Sequence, residues 1–230
     1  MIKTQIKKLV SKNKLLSSFF KPGLPKLKKD KNFNSKNYWD ERYVSGGNSG
    51  EGSYGRLAMF KAEVINNFID KNKINTVLEL GCGDGNQLLL FKTPKYIGLD
   101  VSKKSIELCK KQFESDKSKS FFLYEPEYFI DGLNIFKADL TMSLDVIYHL
   151  VENETFEKYM HDLFTCSNKY AMIYASNTDK QNSYQSQHVF HRKFSDWIET
   201  NFQNWKLLEK IKNKYPHESF ADFYIYEKES

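Results

Sequence analysis

The chain has 230 residues, of which 40% are hydrophobic and 15% aromatic, and its formal net charge is +6. This length suits one α/β domain with an extension, and the composition excludes an intrinsically disordered protein. The apolar runs are shorter than the ~20 residues that a membrane-spanning helix needs.

The first predicted element is a basic arm of residues 1–36, which holds eleven lysines and one acidic residue. Apolar residues recur between the lysines at roughly helical spacing until Pro22, Gly23 and Pro25 interrupt the pattern. The pattern fits a helix that binds a membrane surface or a partner, and equally a solvated arm or a helix packed on its own domain. The arm's charge leaves residues 37–230 mildly acidic, which disfavours a nucleic-acid substrate.

Residues 37–60 form the second element, a segment rich in Gly and Ser that also carries Tyr38, Trp39, Tyr43 and Tyr54. Glycine-rich segments with aromatic anchors suit a lid over a ligand. The alternative is an N-terminal loop that packs its aromatic side chains on the domain.

From residue 60 onward, helical and strand patterns alternate, and residues 37–230 are predicted to form one domain. Five βα repeats predict an α/β fold with a doubly wound (Rossmann-like), mostly parallel seven-stranded sheet and an antiparallel C-terminal edge. The predicted strands are 76–80, 96–100, 121–124, 139–147, 170–176, 205–211 and 220–228. The predicted helices are 59–72, one begun by 84–91, one capped by Ser102, 153–164, and 194–202 capped by Ser195.

The first strand runs directly into the glycine-rich turn Gly81-Cys82-Gly83-Asp84-Gly85. Glycines in a strand-to-helix turn let a ligand approach the backbone, because a Cβ atom would collide with it. A dinucleotide-binding fingerprint would need its third glycine at position 86, where the chain has Asn86. Asp100 ends the second strand, where a carboxylate can accept both hydroxyls of a ribose.

The sequence E-L-G-C-G-D-G, followed by Asp100 nineteen residues after Gly81, resembles motif I of class I S-adenosylmethionine-dependent methyltransferases. The resemblance covers residues 37–230 and implies S-adenosylmethionine as cofactor and S-adenosylhomocysteine as product. It implies that Glu79 and the glycine turn hold the amino-acid part, that Asp100 holds the ribose, and that lid aromatics close over the cofactor. The expected cofactor-binding residues are Tyr38, Tyr43, Glu79, Gly81, Cys82, Gly83, Asp84, Gly85, Gln87, Asp100, Val101, Ser102 and Glu125.

By the same resemblance, the fourth strand and the loop after it face the transferred methyl group. This brings Asp145, Tyr148 and His149 to the reaction centre as the candidate catalytic residues. A sugar hydroxyl is a poor nucleophile at neutral pH and needs a base, for which His149 is the first candidate, with Asp145 as its orienter or as an alternative base. The other interpretation gives His149 a structural role among apolar neighbours.

A compact group of cationic residues, His188, His191 and Arg192, follows the fifth strand. It could bind an anionic acceptor, whose oxygen needs positioning by cations and not deprotonation. The alternative is a solvated basic turn. Tyr54 and Arg56 of the lid are further candidates for acceptor binding, and no metal site is expected, because a third ligand with suitable spacing is missing.

Three segments, GGNSGEGSYGRLA, DVIYHL and HRKFSDWI, make the sequence similar to methyltransferases found with bacterial capsule and surface-glycan assembly genes. The similarity implies an O-methyltransferase for a glycan precursor, acting on a sugar hydroxyl or on a phosphoramidate- or phosphate-like oxygen. Two other functions stay open. One is a catalytically silent cofactor-binding module that serves a partner through the basic arm. The other is an RNA methyltransferase. It is less favoured because an Asn/Asp-Pro-Pro-aromatic motif is missing after the fourth strand.

The expected partner is therefore a small-molecule or glycan-precursor acceptor, without nucleic acid. Cys82, Cys109 and Cys166 have spacings that fit neither a disulfide framework nor a zinc site, which predicts reduced thiols in a cytoplasmic protein. Residues 1–36 could add a peripheral contact with a partner or with the inner face of the membrane.

Overall fold

The computed structural model describes residues 33–182 and 185–229, and in them helices alternate with strands. The strands are β1 Thr76–Leu80, β2 Lys95–Asp100, β3 Lys119–Leu123, β4 Ala138–Leu144, β5 Ser167–Ala175, β6 Trp205–Ile211 and β7 Asp222–Lys228. The α-helices are α1 Ser35–Val44, α2 Gly55–Asn72, α3 Lys103–Gln112, α4 Asn153–Thr165 and α5 Phe194–Asn201. Short 3-10 helices span Glu51–Ser53, Gln87–Leu90 and Ile147–His149.

The seven strands form one sheet in the order β3-β2-β1-β4-β5-β7-β6. Strands β1 to β5 are parallel, and β7 runs antiparallel to both β5 and β6. The predicted doubly wound sheet with an antiparallel C-terminal edge is confirmed. Strand β1 sends Val77 to one hydrophobic core and Leu78 and Leu80 to the core on the other face, which explains its nearly continuous apolar sequence.

The strand order places the functional end of the sheet. Strand β1 lies between β2 and β4, so the connections leave it in opposite directions. In such sheets a crevice opens at the carboxyl ends of the strands where the order reverses. The glycine turn after β1, Asp100 at the end of β2 and the loop after β4 therefore share one edge.

Two helix predictions are wrong in detail. The helix expected from residues 84–91 is only the 3-10 turn Gln87–Leu90, because Pro94 disfavours the helical conformation at Thr93 and β2 begins directly afterwards. Helix α5 begins at Phe194 with Lys193 as its N-cap, so Ser195 lies inside it, and the amide of Ser195 donates to Asn177 Oδ1 of a neighbouring loop. Ser102 caps α3 as predicted, accepting from the amide of Ser105.

The predicted lid, residues 37–60, is not one glycine-rich loop. Helix α1 supplies its first part, a short loop and a 3-10 turn follow, and α2 begins within its end. The predicted basic arm lies outside the described residues up to position 32, and α1 already begins at Ser35. None of the helices in the described ranges combines the length and the apolar character that crossing a bilayer requires.

Candidate functional site

A cavity opens at the carboxyl ends of β1, β2 and β4, and α1 covers one side of it. The cavity unites the two segments on which the cofactor prediction depends. The amide of Gly83 donates to Asp100 Oδ2 at 2.9 Å, and the amide of Ser102 donates to Asp100 Oδ1, also at 2.9 Å. One bond on each oxygen leaves the carboxylate further lone pairs for hydroxyl donors. Burial raises the pKa of Asp100, and the two amides oppose this shift.

Two glycines of the turn face the cavity and cannot carry a side chain there. A Cβ on Gly81 would lie 2.4 Å from Val146 Cγ2, and one on Gly83 would lie 2.3 Å from Ser49 Oγ. Both have left-handed backbone angles, φ +81° and φ +57°, which L side chains rarely adopt.

Gly85 has a different role from the predicted one. A Cβ there would meet Cys109 Sγ and Phe113 at 3.0 Å, so Gly85 packs the turn against α3 and lies outside the cavity lining. Cys82, Val101 and Glu125 do line the cavity, and Glu125 also pairs with Lys36 at 3.4 Å. Cys82, Cys109 and Cys166 are buried free thiols.

Glu79 is buried at the base of the cavity, where it accepts a 2.6 Å hydrogen bond from Tyr96 Oη. Burial raises the pKa of Glu79 to about 7, although the Tyr96 hydroxyl and the charge of Lys61 act in the opposite direction. A cationic group bound beside this carboxyl would favour its ionised form.

Lys61 of α2 is a cavity residue that the sequence analysis missed. It is 1% exposed, and its Nζ donates to Asp145 Oδ2 at 2.7 Å, while Tyr148 Oη donates to Asp145 Oδ1 at 2.9 Å. Asp145 is held in a left-handed conformation with φ +59°. The sequence signal that could have identified Lys61 is its position four residues from both Leu57 and Ile65, on the buried face of α2.

This network corrects two of the expected catalytic roles. The two oxygens of Asp145 accept from Lys61 and Tyr148, so Asp145 does not orient His149. Tyr148 lies outside the cavity lining. Burial beside Asp145 raises the pKa of Tyr148 well above the ordinary value, so the Tyr148 hydroxyl stays protonated.

Gln87 provides a test of whether the expected cofactor fits. Its Nε2 donates to the carbonyl of Ala58 at 2.9 Å, which fixes the side-chain amide. Gln87 lines the cavity, and its buried Oε1 accepts no hydrogen bond from any residue within 33–182 and 185–229. An unsatisfied buried acceptor indicates a missing donor, and the ammonium group of S-adenosylmethionine is one. With Glu79, the glycine cradle and Asp100, the site fits this cofactor.

The lid is fastened to the glycine turn through Asp84. Asp84 Oδ2 accepts from the amide of Ser49 and from Tyr54 Oη, both at 3.0 Å, and the Asp84 amide donates to Ser49 Oγ. Ser102 Oγ likewise donates to Asp40 of α1 at 2.8 Å. Asp84, Ser102 and Tyr54 therefore hold the lid and lie outside the cavity lining, which corrects their predicted cofactor and acceptor roles.

The lid aromatics divide into two groups. Trp39 and Tyr43 line the cavity, and Tyr43 Oη lies 2.9 Å from Ser49 Oγ. Tyr38 does not face the cavity, contrary to the prediction, and instead stacks on the ring of His188 at 4.6 Å and 11°. Tyr38 points away because successive helical residues project about 100° apart.

His149 lines the cavity, and a hydrogen bond determines which of its ring nitrogens carries the hydrogen. Its Nδ1 lies 2.9 Å from the carbonyl oxygen of His188. Because a carbonyl can only accept, Nδ1 carries the hydrogen and Nε2 keeps its lone pair. Burial lowers the pKa of His149 to about 4, so the ring is neutral at physiological pH.

The predicted anion-binding group does not form. His191 is buried and pairs through Nδ1 with Ser176 Oγ at 2.6 Å. Arg192 is 3% exposed and donates to the carbonyls of Leu150 and Val151 at 2.7 and 2.9 Å and to Asn153. The guanidinium therefore braces the loop before α4, and Arg192 lies outside the cavity lining.

Arg56 also lies away from the cavity. It is paired with Glu218 and lies over the ring of Tyr215 at 4.9 Å, which corrects its predicted acceptor role. Within the described part of the chain, no three His, Cys, Asp or Glu side chains are grouped so that they could hold a metal ion.

The family model described as mRNA (guanine-N(7))-methyltransferase domain matches residues 58–192. No curated protein matches the sequence.

Several solved structures share the fold. The N-methyltransferase NodS from Bradyrhizobium japonicum WM9, with S-adenosyl-L-homocysteine, has a TM-score of 0.66 at 11% identity and covers 86% of this chain and 100% of its own. Magnesium protoporphyrin IX methyltransferase from Synechocystis PCC 6803, with bound SAM, has a TM-score of 0.61 at 11% identity, covering 87% and 100%. The small RNA methyltransferase HEN1 has a TM-score of 0.59 at 19% identity, covering 79% of this chain and 26% of its own.

Proposed function

The chain belongs to the mRNA (guanine-N(7))-methyltransferase domain family and is an S-adenosylmethionine-dependent methyltransferase, and on this premise we propose that it methylates a hydroxyl oxygen of a surface-glycan precursor. The observation that carries the proposal is the neutral imidazole of His149, whose Nε2 is free of its proton and whose side chain lines the cofactor cavity. A hydroxyl acceptor is the class of acceptor that needs such a group.

In this reaction the protein has two tasks: it accepts the proton of the acceptor, and it aligns the reacting groups. The bound cofactor supplies an electrophilic methyl group on a sulfonium. His149 Nε2 takes the proton of the acceptor hydroxyl as the new C–O bond forms and the C–S bond breaks. Glu79, Gln87 and Asp100 would hold the two ends of the cofactor, and His149 lines the same cavity.

The charges around the cavity favour a sugar hydroxyl over an anionic oxygen. His191 and Arg192, which would have recognised an anion, are committed to Ser176 and to backbone carbonyls. The lining instead includes Glu125, Glu127 and Glu152. Its two lysines among the described residues are each paired with a carboxylate, Lys36 with Glu125 and Lys61 with Asp145. Carboxylates accept hydrogen bonds from sugar hydroxyls and repel phosphate-like groups.

RNA is a second candidate because the family description names mRNA and the structural neighbour HEN1 acts on small RNA. Guanine N7 carries a lone pair and needs no base, so this reaction would not use His149 as a proton acceptor. The mildly acidic charge of residues 37–230 counts against it, since nucleic-acid enzymes spread basic charge over the binding face.

One experiment separates the two candidates. The full chain is incubated with methyl-labelled S-adenosylmethionine and either nucleotide-activated sugars with capsular oligosaccharides or guanosine-capped RNA. We expect label in the sugar pool, on oxygen. Exclusive labelling of capped RNA would overturn the glycan proposal.

The base is tested by His149→Gln, which keeps a polar side chain of similar size. We expect turnover to fall about 10²-fold or more, within the range that a general base supplies, while cofactor affinity stays within about twofold. The matched control is His161→Gln, at a histidine of α4 outside the cavity lining. Unchanged turnover in His149→Gln would contradict the assigned base.

A further inference from the structure

The lid helix α1 touches the candidate base through two aromatic residues. Trp39 meets the His149 ring edge-on at 4.9 Å between centroids. Tyr38 stacks on His188 at 4.6 Å and 11°, and His188 stacks in turn on His149 at 5.3 Å and 24°. Three rings therefore form a continuous pile from the lid to His149.

The middle member of this pile also sets the proton on His149. The carbonyl that accepts Nδ1–H belongs to His188, and the backbone beside it is held by the amide of Phe190, which donates to the carbonyl of Tyr148 at 2.7 Å. The ring of His188 has Tyr38 on its lid side. Removing Tyr38 would take away the ring that packs on the lid side of His188.

Helix α1, which carries Tyr38, is fixed at its first turn and again near its middle. Ser35 at the first turn donates through its amide and its hydroxyl to the carboxylate of Glu152, at 2.9 and 2.5 Å. Asp40 accepts from Ser102 Oγ at 2.8 Å. The helix position, and with it the position of the Tyr38 ring, therefore depends on the same β2 terminus that carries Asp100.

The same helix covers the cavity. Trp39 and Tyr43 line it, so the helix that carries Tyr38 also contacts the ligand space. A movement of α1 away from the cavity would separate Tyr38 from His188 and Trp39 from His149. The aromatic pile therefore depends on α1 staying docked over the cavity.

Resting on the proposed function, we propose that Tyr38 is a positioning residue: through His188 it holds His149 in the Nδ1–H tautomer that presents Nε2 to the cavity. Lid closure and base orientation are then one event. The positioning role explains why the lid carries an aromatic residue, Tyr38, that faces away from the cofactor. The coupling would also prevent His149 from taking a proton before the acceptor is enclosed.

The direct test is the tautomer of His149. The full chain, whose five histidines are ¹⁵N-labelled, is saturated with S-adenosylhomocysteine, and long-range ¹H–¹⁵N spectra are recorded, with His149→Gln identifying the signals. We expect a single Nδ1–H form in the parent protein and a mixture of tautomers in Tyr38→Ala. His188→Ala should give the same mixture. It keeps the carbonyl that accepts from Nδ1, but it removes the stacked ring through which Tyr38 acts.

Tyr38→Phe is the matched control, since it keeps the ring and loses only the hydroxyl. It should retain one tautomer and parent turnover. With the sugar pool as acceptor, Tyr38→Ala should lower kcat about 10-fold, part of the ~10²–10⁴-fold that a base supplies, at unchanged S-adenosylhomocysteine affinity.

The outcomes separate this inference from the function on which it rests. An unchanged Nδ1–H tautomer in both Tyr38→Ala and His188→Ala overturns the positioning role even if His149 is the base. Loss of the tautomer in both variants, with turnover unaffected by His149→Gln, supports the positioning role and refutes the base. If Tyr38→Ala fails to fold, His188→Ala decides alone.

Discussion

The two ends of the cavity are built by different means. At the cofactor end, the groups that face the ligand belong to two strand tips, and Gly83 meets Asp100 directly at 2.9 Å. At the end that His149 lines, the polar residues that the sequence offers for an acceptor, His191 and Arg192, lie outside the cavity lining and hold loops together. A residue's position next to a strand end therefore predicts ligand binding where the backbone of the strand tip forms the site. In the loop that carries His191 and Arg192, the polar side chains instead stabilise neighbouring loops.

The largest expected effect tests the bracing role of Arg192. Arg192→Ala should lower the free energy of unfolding by about 3–5 kcal/mol, because the carbonyls of Leu150 and Val151 and the amide oxygen of Asn153 lose their donors. Urea denaturation measures the change.

Arg56→Ala is the control for this variant. Arg56 is an arginine whose side chain is 63% exposed, and its loss should change stability by about 0.5 kcal/mol or less. Equal stability of the two variants would show that Arg192 does not brace the loop and would reopen its role in acceptor binding.

At the opposite end, Asp100→Ala should weaken S-adenosylmethionine binding by about 1–3 kcal/mol, since charged hydrogen bonds to the ribose are lost. Asp139→Ala is the matched control, because Asp139 also accepts two backbone amides, those of Asn75 and Thr76, but at the amino end of β1. It should lose stability and keep its cofactor affinity. Calorimetry in which both variants bind equally well would contradict the ribose assignment.

The difference between the two ends also explains what could be predicted from the sequence. The sheet, the glycine turn and Asp100 follow from local patterns, because a strand tip and its turn place their own atoms. Lys61 was missed because its partner Asp145 is 84 residues away, and a lysine within an amphipathic helix ordinarily indicates a solvated face. Arg192 was misassigned because its acceptors are backbone carbonyls, which every residue carries and no sequence pattern marks.

Tyr38, Asp84 and Ser102 illustrate a third kind of outcome. Each lies beside a cavity residue in the chain, yet each faces the lid or the base and not the cofactor. The sequence located the site to within one residue, but the side of the backbone on which each side chain lies depends on how α1 docks. The docking of α1 and of the lid loop after it depends on contacts with sequence separations of 35 to 117 residues, which a local pattern does not contain.

The smallest expected effect concerns Glu79 and sharpens the account of the cofactor end. Its pKa is raised to about 7 by burial, and the ammonium group of the cofactor, which stays protonated below pH 7, favours the ionised carboxylate. Binding below pH 7 must therefore first remove a proton from Glu79. We expect calorimetry to show the affinity for S-adenosylhomocysteine falling about 15-fold between pH 7 and pH 5.5, with a slope that approaches tenfold per pH unit only well below pH 7.

Glu79→Gln serves as the control, because an amide keeps an acceptor for Tyr96 Oη and does not titrate. Its affinity should be lower at pH 7 and flat down to pH 5.5, so the two curves should converge in acid. If the parent protein also binds independently of pH in this range, Glu79 does not face the ammonium group. Gln87 Oε1 and the backbone of the glycine turn would then hold the amino-acid end without a carboxylate, and the cofactor end would depend on backbone geometry even more completely than its contrast with the end that His149 lines suggests.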